Sequence, residues 1–237
     1  MIVHHSRRKR IGKRFRLRKP CHWISNLILI VALVWFAHNL QKNSQPSPYS
    51  SLITHLPELA MSGGDPYIRA LMLTISASES NHKNSYFLLY GGSHVHNLKQ
   101  HPNQCLPIKI GPNKGKCSTA AGRYQFLTST WQEKAQKYHP NPHKTHGKII
   151  YSFEPKYQDM VVYRWLKDHH QWDVDLLTLL KEDRVEEVLT ELSDVWTSLG
   201  GGIEDNLMTP HLPSLYRHFL AQQLKSQNSD RVSENLI

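Results

Sequence analysis

The chain has 237 residues, room for one large domain or two small ones, and its 29 Lys and Arg against 19 Asp and Glu give a formal charge of +10. Nine of those basic side chains, Arg7 to Lys19, fall within residues 1–40, which hold no acid, leaving 20 basic against 19 acidic side chains elsewhere. A near-neutral body excludes an electrostatic case for nucleic acid binding, because the basic excess belongs to the N-terminal segment.

Residues 1–22 form that basic segment, and residues 23–40 are apolar, with no charge between Ile24 and Ala37. At about 1.5 Å of rise per residue the run is near the short limit for crossing a bilayer. Trp23 and Trp35 suit the two interfaces, and the preceding basic cluster predicts a cytoplasmic N-terminus. Cleavage as a signal peptide after Ala37 would put Trp35 where a small residue is required, so an uncleaved signal-anchor is the expectation. Everything from residue 41 onward then faces outward from the inner (cytoplasmic) membrane. Residues 41–55, rich in Ser, Pro and Gln, form a polar tether that cannot pack a core.

Residues 56–225 hold the expected folded domain, and residues 226–237 a polar, flexible tail. Asp65-Pro66 gives an N-cap and a first-turn proline, after which Ile68, Leu71, Met72 and Ile75 recur at helical spacing. This helix is predicted to end near Ser78–Glu79. Tyr86 to Gly92 and Leu106 to Gly111 are candidate strands of a small β lobe. Helices follow over Trp131–Tyr138 and residues 154–169, separated by a loop from His139 to Tyr151. Shorter helices are expected at Leu176–Leu180 and Val185–Trp196, and a last one at Pro213–Leu224. The architecture is α+β and mainly helical, with a cleft between two lobes.

Glu79 closes a helical apolar pattern, where a carboxyl can sit half in a core and half in a cleft. Desolvation there favours the protonated form, the condition for a general acid near neutral pH. No other acid occurs between Glu79 and Glu133, so no carboxylate pair is offered along that stretch. Cys105 and Cys117 bracket a Gly/Pro/Lys-rich loop and are either a disulfide or two free thiols. His139, His143 and His146 have an i, i+4, i+7 spacing, but Pro140 and Pro142 deny them a helix, so no metal site is expected.

Ala77-Ser78-Glu79, Tyr86 to Gly92, His101-Pro102, Ser118 to Leu127, Pro155 to Asp159 and Val195 to Leu199 together resemble the phage lambda endolysin family of lytic transglycosylases (glycoside hydrolase family 104, lysozyme superfamily). The resemblance spans roughly residues 66–205, and Ser118-Thr119-Ala120-Ala121-Gly122-Arg123-Tyr124-Gln125 is its most specific block. It implies a lysozyme-like fold, with Glu79 as the single catalytic acid/base acting on the N-acetylmuramic acid to N-acetylglucosamine bond of peptidoglycan. Where the family has an acid after the tyrosine matching Tyr86, this chain has Phe87.

Gly122, Arg123, Tyr124 and Gln125 are the expected substrate-binding residues, with Gln125 hydrogen-bonding a sugar and Tyr124 either packing on it or belonging to the core. Gly122 alternatively serves a tight turn. Arg123 either holds a peptide-stem carboxylate or pairs structurally. Trp196 is expected in the core. The implied partners are peptidoglycan glycan strands and the inner membrane, the latter through residues 23–40. The domain would then lie in the periplasm or facing the wall, as a monomer without cofactor. A hydrolytic muramidase with the same cleft and a non-catalytic peptidoglycan-binding scaffold are the alternatives.

Overall fold

The structure, a computed structural model, describes residues 56–200 and 206–234. The predicted membrane span at residues 23–40 lies outside the described residues, and no helix among the described ones is long and apolar enough to cross a membrane.

Helix α1 (Pro66–Glu79) is the central element. Asp65 caps it, accepting from the backbone N–H of Tyr67 at 2.9 Å, and Pro66 occupies a first-turn position where no donor is needed. Ile68, Leu71, Met72 and Ile75 are buried as their spacing predicts, but so are Ala70, Leu73, Thr74, Ser76 and Ala77. A helix covered on all sides is a core helix, not a surface one. The covering elements include α3 (Pro155–Lys167), α4 (Leu176–Lys181) and α6 (Leu212–Glu234), and α2 (Thr128–Tyr138) packs on α3.

α5 (Val185–Leu192) buries Val185, Val188, Leu189 and Leu192, and α6 buries Leu212, Leu215, Tyr216 and Phe219. Both sets follow the i, i+3, i+4, i+7 stripe of a helix with one apolar face. α5 stops at Leu192, short of the expected Trp196, and the chain continues into a 3-10 turn at Thr197–Leu199. α6 runs on to Glu234, through the stretch expected to be a flexible tail.

The β content is small. β1 (Leu106–Pro107) pairs antiparallel with β2 (Cys117–Ser118), and β3 (His143–Thr145) with β4 (Lys148–Ile150). The second hairpin replaces the expected loop between His139 and Tyr151. β3 is polar and β4 reads Lys-Ile-Ile, so neither shows the apolar/polar alternation that marks a strand. The expected strand over Tyr86–Gly92 is instead two 3-10 turns, Ser85–Phe87 and Tyr90–Gly92, joined by isolated bridges from Leu88 to His94 and Leu89 to Ala121. Positive φ values at Gly91 and Gly92 turn the chain before a ladder can extend. Cys105 and Cys117 are joined as a disulfide, with their Cα atoms 5.3 Å apart.

Candidate active site

Glu79 is the last residue of α1 and is half-buried, whereas the turns before it are sealed in the core. It opens onto a cleft of about 520 Å³, whose walls include Tyr90, Gly91, Ser118, Gln125, Thr197, Ser198 and Asn206. Among the described residues no other carboxylate lines this cleft. Glu133, the next acid in sequence, is exposed and pairs with Lys134 at 2.6 Å, outside the cleft.

The residues on either side of Glu79 fix where it points. Ser80, buried, donates from Oγ to the carbonyl of Arg123 at 2.5 Å, while its N–H closes the helix on Ser76 at 2.8 Å. Ser78 donates from Oγ to the carbonyl of Ser198 at 3.0 Å. The helix end is thereby tied to the 122–125 turn on one side and to the 197–199 turn on the other. The Ser198 hydroxyl donates to Oε1 of Glu79. Ser198 is itself held, because its carbonyl also accepts from Thr209 Oγ1 at 2.9 Å. Asn206 adds bonds from Nδ2 to both oxygens of Ser78, each at 3.2 Å.

The Gly122–Gln125 block is a tight turn between Ala121 and Phe126, which exchange backbone hydrogen bonds at 3.0 and 2.9 Å. Gly122 has a φ of +75°, and a Cβ there would meet Gln158 Oε1 and lie 2.7 Å from Phe153 Cζ. The backbone conformation and the close packing both demand glycine. Its role is the turn itself, the alternative the sequence left open, and not a substrate contact by its backbone.

The turn aims its middle residues inward, which corrects two expectations. The Arg123 side chain is fully buried and donates to the carbonyls of Pro57 (2.8 Å) and Glu58 (3.0 Å) and to the Tyr86 hydroxyl (2.8 Å). No stem carboxylate reaches it. Tyr124 is also fully buried and donates to Asp159 Oδ1 at 2.7 Å. Its ring is core, and it presents no face for a sugar to pack on.

Asp159 gathers this polar core. Its Oδ2 accepts from Tyr86 (2.8 Å) and from the N–H groups of Ala60 (2.6 Å) and Met61 (3.2 Å). Burial pushes its carboxyl pKa up, opposed by the Arg123 guanidinium and these donors. Burial likewise drives the Tyr86 and Tyr124 hydroxyls upward, so both stay protonated donors. Gln158 completes the floor, accepting from the Arg123 N–H at 2.8 Å and donating to the carbonyls of Tyr86 (3.0 Å) and Phe153 (2.8 Å).

Gln125 remains on the cleft wall. It is partly exposed, has a φ of 45°, and holds its amide with Nε2 on the Gly122 carbonyl at 2.9 Å. A non-glycine residue in the left-handed region stores strain, which is common where a side chain must face a ligand. Trp196 is buried, as expected, donating from Nε1 to the Tyr124 carbonyl at 3.0 Å, with its edge on the cleft. Ser198 and Asn206 were not singled out from the sequence. Their only sequence sign was a place in or just after the stretch Val195 to Leu199.

A cleft entered by one half-buried glutamate at a helix end gives that carboxyl a place to exchange a proton with a bound substrate. The family model described as Endolysin matches residues 69–222, well over half of the chain and every described cleft residue. The chain belongs to the Endolysin family, and its class is that of the peptidoglycan-cleaving, lysozyme-type enzymes.

A solved structure of bacteriophage lambda lysozyme complexed with a chitohexasaccharide is similar at 21% identity and a TM-score of 0.49, over 67% of this chain and 97% of that one. A second structure, lysozyme from bacteriophage lambda, is similar at 20% identity and a TM-score of 0.47, over 69% and 97% of the two chains. No curated protein matches the chain.

Proposed function

We propose that the protein is a lytic transglycosylase that cleaves the β-1,4 bond between N-acetylmuramic acid and N-acetylglucosamine, with Glu79 as its only catalytic carboxylate. The observation carrying this reading is that Glu79 is the one carboxylate on the cleft among the described residues. Mechanisms that use two carboxylates need a second one facing the first across the bond, about 5–10 Å away. With one, the same group must act first as acid and then as base.

Protonated Glu79 donates to the glycosidic oxygen, and the bond from that oxygen to the muramoyl C1 breaks toward an oxocarbenium-like centre. The C6 hydroxyl of the same sugar then attacks C1 and gives its proton to the Glu79 carboxylate. The products are a 1,6-anhydromuramoyl end and a free N-acetylglucosamine C4 hydroxyl. No water is consumed, and Glu79 returns protonated. Gln125, held on the wall opposite, offers its amide to a sugar acetamide or hydroxyl.

The apolar run at residues 23–40 supports a signal-anchor at the cytoplasmic membrane, with the domain on the wall side. The Cys105–Cys117 bond favours the same oxidising side. Clearance of a peptidoglycan suspension by the full-length chain tests the activity, and Glu79→Gln is expected to lower it by more than about a hundredfold. Glu204 and Asp205 lie outside the described residues, so Glu204→Gln and Asp205→Asn serve as controls, and both should keep turnover. Membrane fractionation tests the anchor, which a chain recovered wholly in the soluble fraction would contradict.

A further inference from the structure

Residues 80–132 contain no Asp or Glu but carry Lys83, Lys99, Lys109, Lys114, Lys116 and Arg123. Arg123 is spent inside the polar core, so the outward field of this stretch comes from the five lysines, all exposed. Among the described residues none of the five forms an ion pair. The contrast with the helical body is sharp: Glu182, Asp183, Glu186 and Glu187 around α5 are matched by Arg184 and Arg217.

Three of the lysines share a rigid platform. Lys109, Lys114 and Lys116 stand on the hairpin joining β1 and β2, which the Cys105–Cys117 disulfide closes at its base. Within it Ile108 donates to the Lys116 carbonyl at 2.8 Å, Gly115 to Ile108 at 3.1 Å and Lys114 to Gly111 at 3.1 Å. β2 leads straight to the substrate, because Ser118 lines the Glu79 cleft. Lys116 is two positions before it, about 7 Å along an extended chain, a distance comparable to the reach of a lysine side chain. Ile110, 84% exposed, adds an apolar contact beside these charges.

We propose that this stapled hairpin is a docking surface for the carboxylates of the peptide stems carried by peptidoglycan. The inference rests on the Proposed function only in naming the polymer that enters the cleft. The sugars' hydroxyls and acetamides are uncharged, and the stems, attached through the muramoyl lactyl group, carry the carboxylates. A strand lying against Glu79 projects its stems over the rim, where the hairpin stands. Unpaired like charges held together repel one another, and an anionic polymer relieves that repulsion on binding. The anionic contact that the sequence suggested for Arg123 falls to these lysines.

Sedimentation with insoluble peptidoglycan tests this, using the full-length Glu79→Gln chain to prevent cleavage and the same chain with K109Q/K114Q/K116Q. One portion of peptidoglycan is left native, and the other has its carboxyls amidated with a carbodiimide and methylamine. Amidation and the triple substitution should each weaken binding about tenfold, and together little more than either alone. Equal binding of the unsubstituted chain to both preparations would overturn the proposal, as would undiminished binding of the triple variant to native material. Turnover by the chain with Glu79 intact is scored separately. Absent turnover with charge-dependent binding would retire the transglycosylase reading and leave the docking surface standing.

Discussion

The Ser198 hydroxyl donates to Oε1 of Glu79 across a sequence separation of 119 residues, and the Ser78 hydroxyl returns a bond to the Ser198 carbonyl. Ser80, on the other side of Glu79, reaches the Arg123 carbonyl. The glutamate at the end of α1 is therefore flanked by two serines that tie its backbone to opposite walls of the cleft, while a third orients its carboxyl. A carboxyl that must give and then take a proton needs this kind of fixed aim.

Ser198 thus acts through Glu79 as a positioning residue. Ser198→Ala should lower kcat about tenfold or more with little change in KM, because the hydrogen bond strengthens as the Glu79 carboxyl gives up its proton and becomes charged. Ser198→Thr, which keeps the hydroxyl, should recover most of the rate. Steady-state kinetics on both variants checks this, and a change confined to KM would place Ser198 on substrate binding instead.

Arg123 and Asp159 belong to stability. Asp159→Ala removes the acceptor for Tyr86, Tyr124 and two backbone N–H groups and leaves the Arg123 guanidinium buried without its counter-charge. A loss of about 3–5 kcal/mol in urea unfolding is expected. Tyr124→Phe should cost less, about 1–3 kcal/mol, because it deletes one buried hydrogen bond. Where the Tyr124→Phe protein is folded, its KM should match the parent's.

These side chains show where sequence reading stops. Asp65-Pro66 and the spacing of Ile68, Leu71, Met72 and Ile75 revealed α1 and placed Glu79 at its end, because caps and periodicity are local signals. The direction of the Gly122–Gln125 turn is not local. Gln158 and Asp159, more than thirty positions onward on α3, draw Arg123 and Tyr124 into the core and leave Gln125 on the wall. The same limit hid Ser198, whose role exists only because the 197–199 turn meets the end of α1. The 143–150 hairpin and the continuation of α6 to Glu234 carry no periodic signal for another reason: the three-residue strands are too short to alternate, and the end of α6 is almost wholly polar.

Two glycines separate backbone strain from crowding. Gly122→Ala meets both a φ of +75° and the ring of Phe153, and should destabilise by about 2–4 kcal/mol. Gly91 has a similar φ of +78° but open space around its Cβ position, so Gly91→Ala should cost only about 1 kcal/mol. Urea denaturation of the two variants reads the difference directly.

His101 and His139 are buried, and each ring nitrogen Nε2 meets a backbone carbonyl, that of Phe126 at 2.8 Å and that of Ser152 at 3.1 Å. Each Nδ1 accepts an N–H, from Asn103 at 3.1 Å and Asn141 at 3.2 Å. Burial lowers both pKa values below the ordinary histidine value, with the carbonyl contacts opposing. The unfolded chain takes up these protons near pH 6.5 and the folded chain only at lower pH. Their contribution to stability is therefore complete above about pH 6.5 and lost as pH falls through the folded values. Asp159, pushed up by burial, works in the opposite sense, its contribution fading as pH rises. Comparing the parent with H101Q/H139Q cancels that effect. The urea midpoint of the parent should fall more between pH 7.5 and 5 than that of the variant.

Mass spectrometry of the fragments released from purified peptidoglycan tests the one-carboxylate mechanism most directly. The full-length parent should yield 1,6-anhydromuramoyl ends, without incorporation of oxygen from labelled water, and Glu79→Gln should yield none. Reducing muramic ends carrying the label would contradict the account, because they require a bound water and a hydrolytic use of the same cleft.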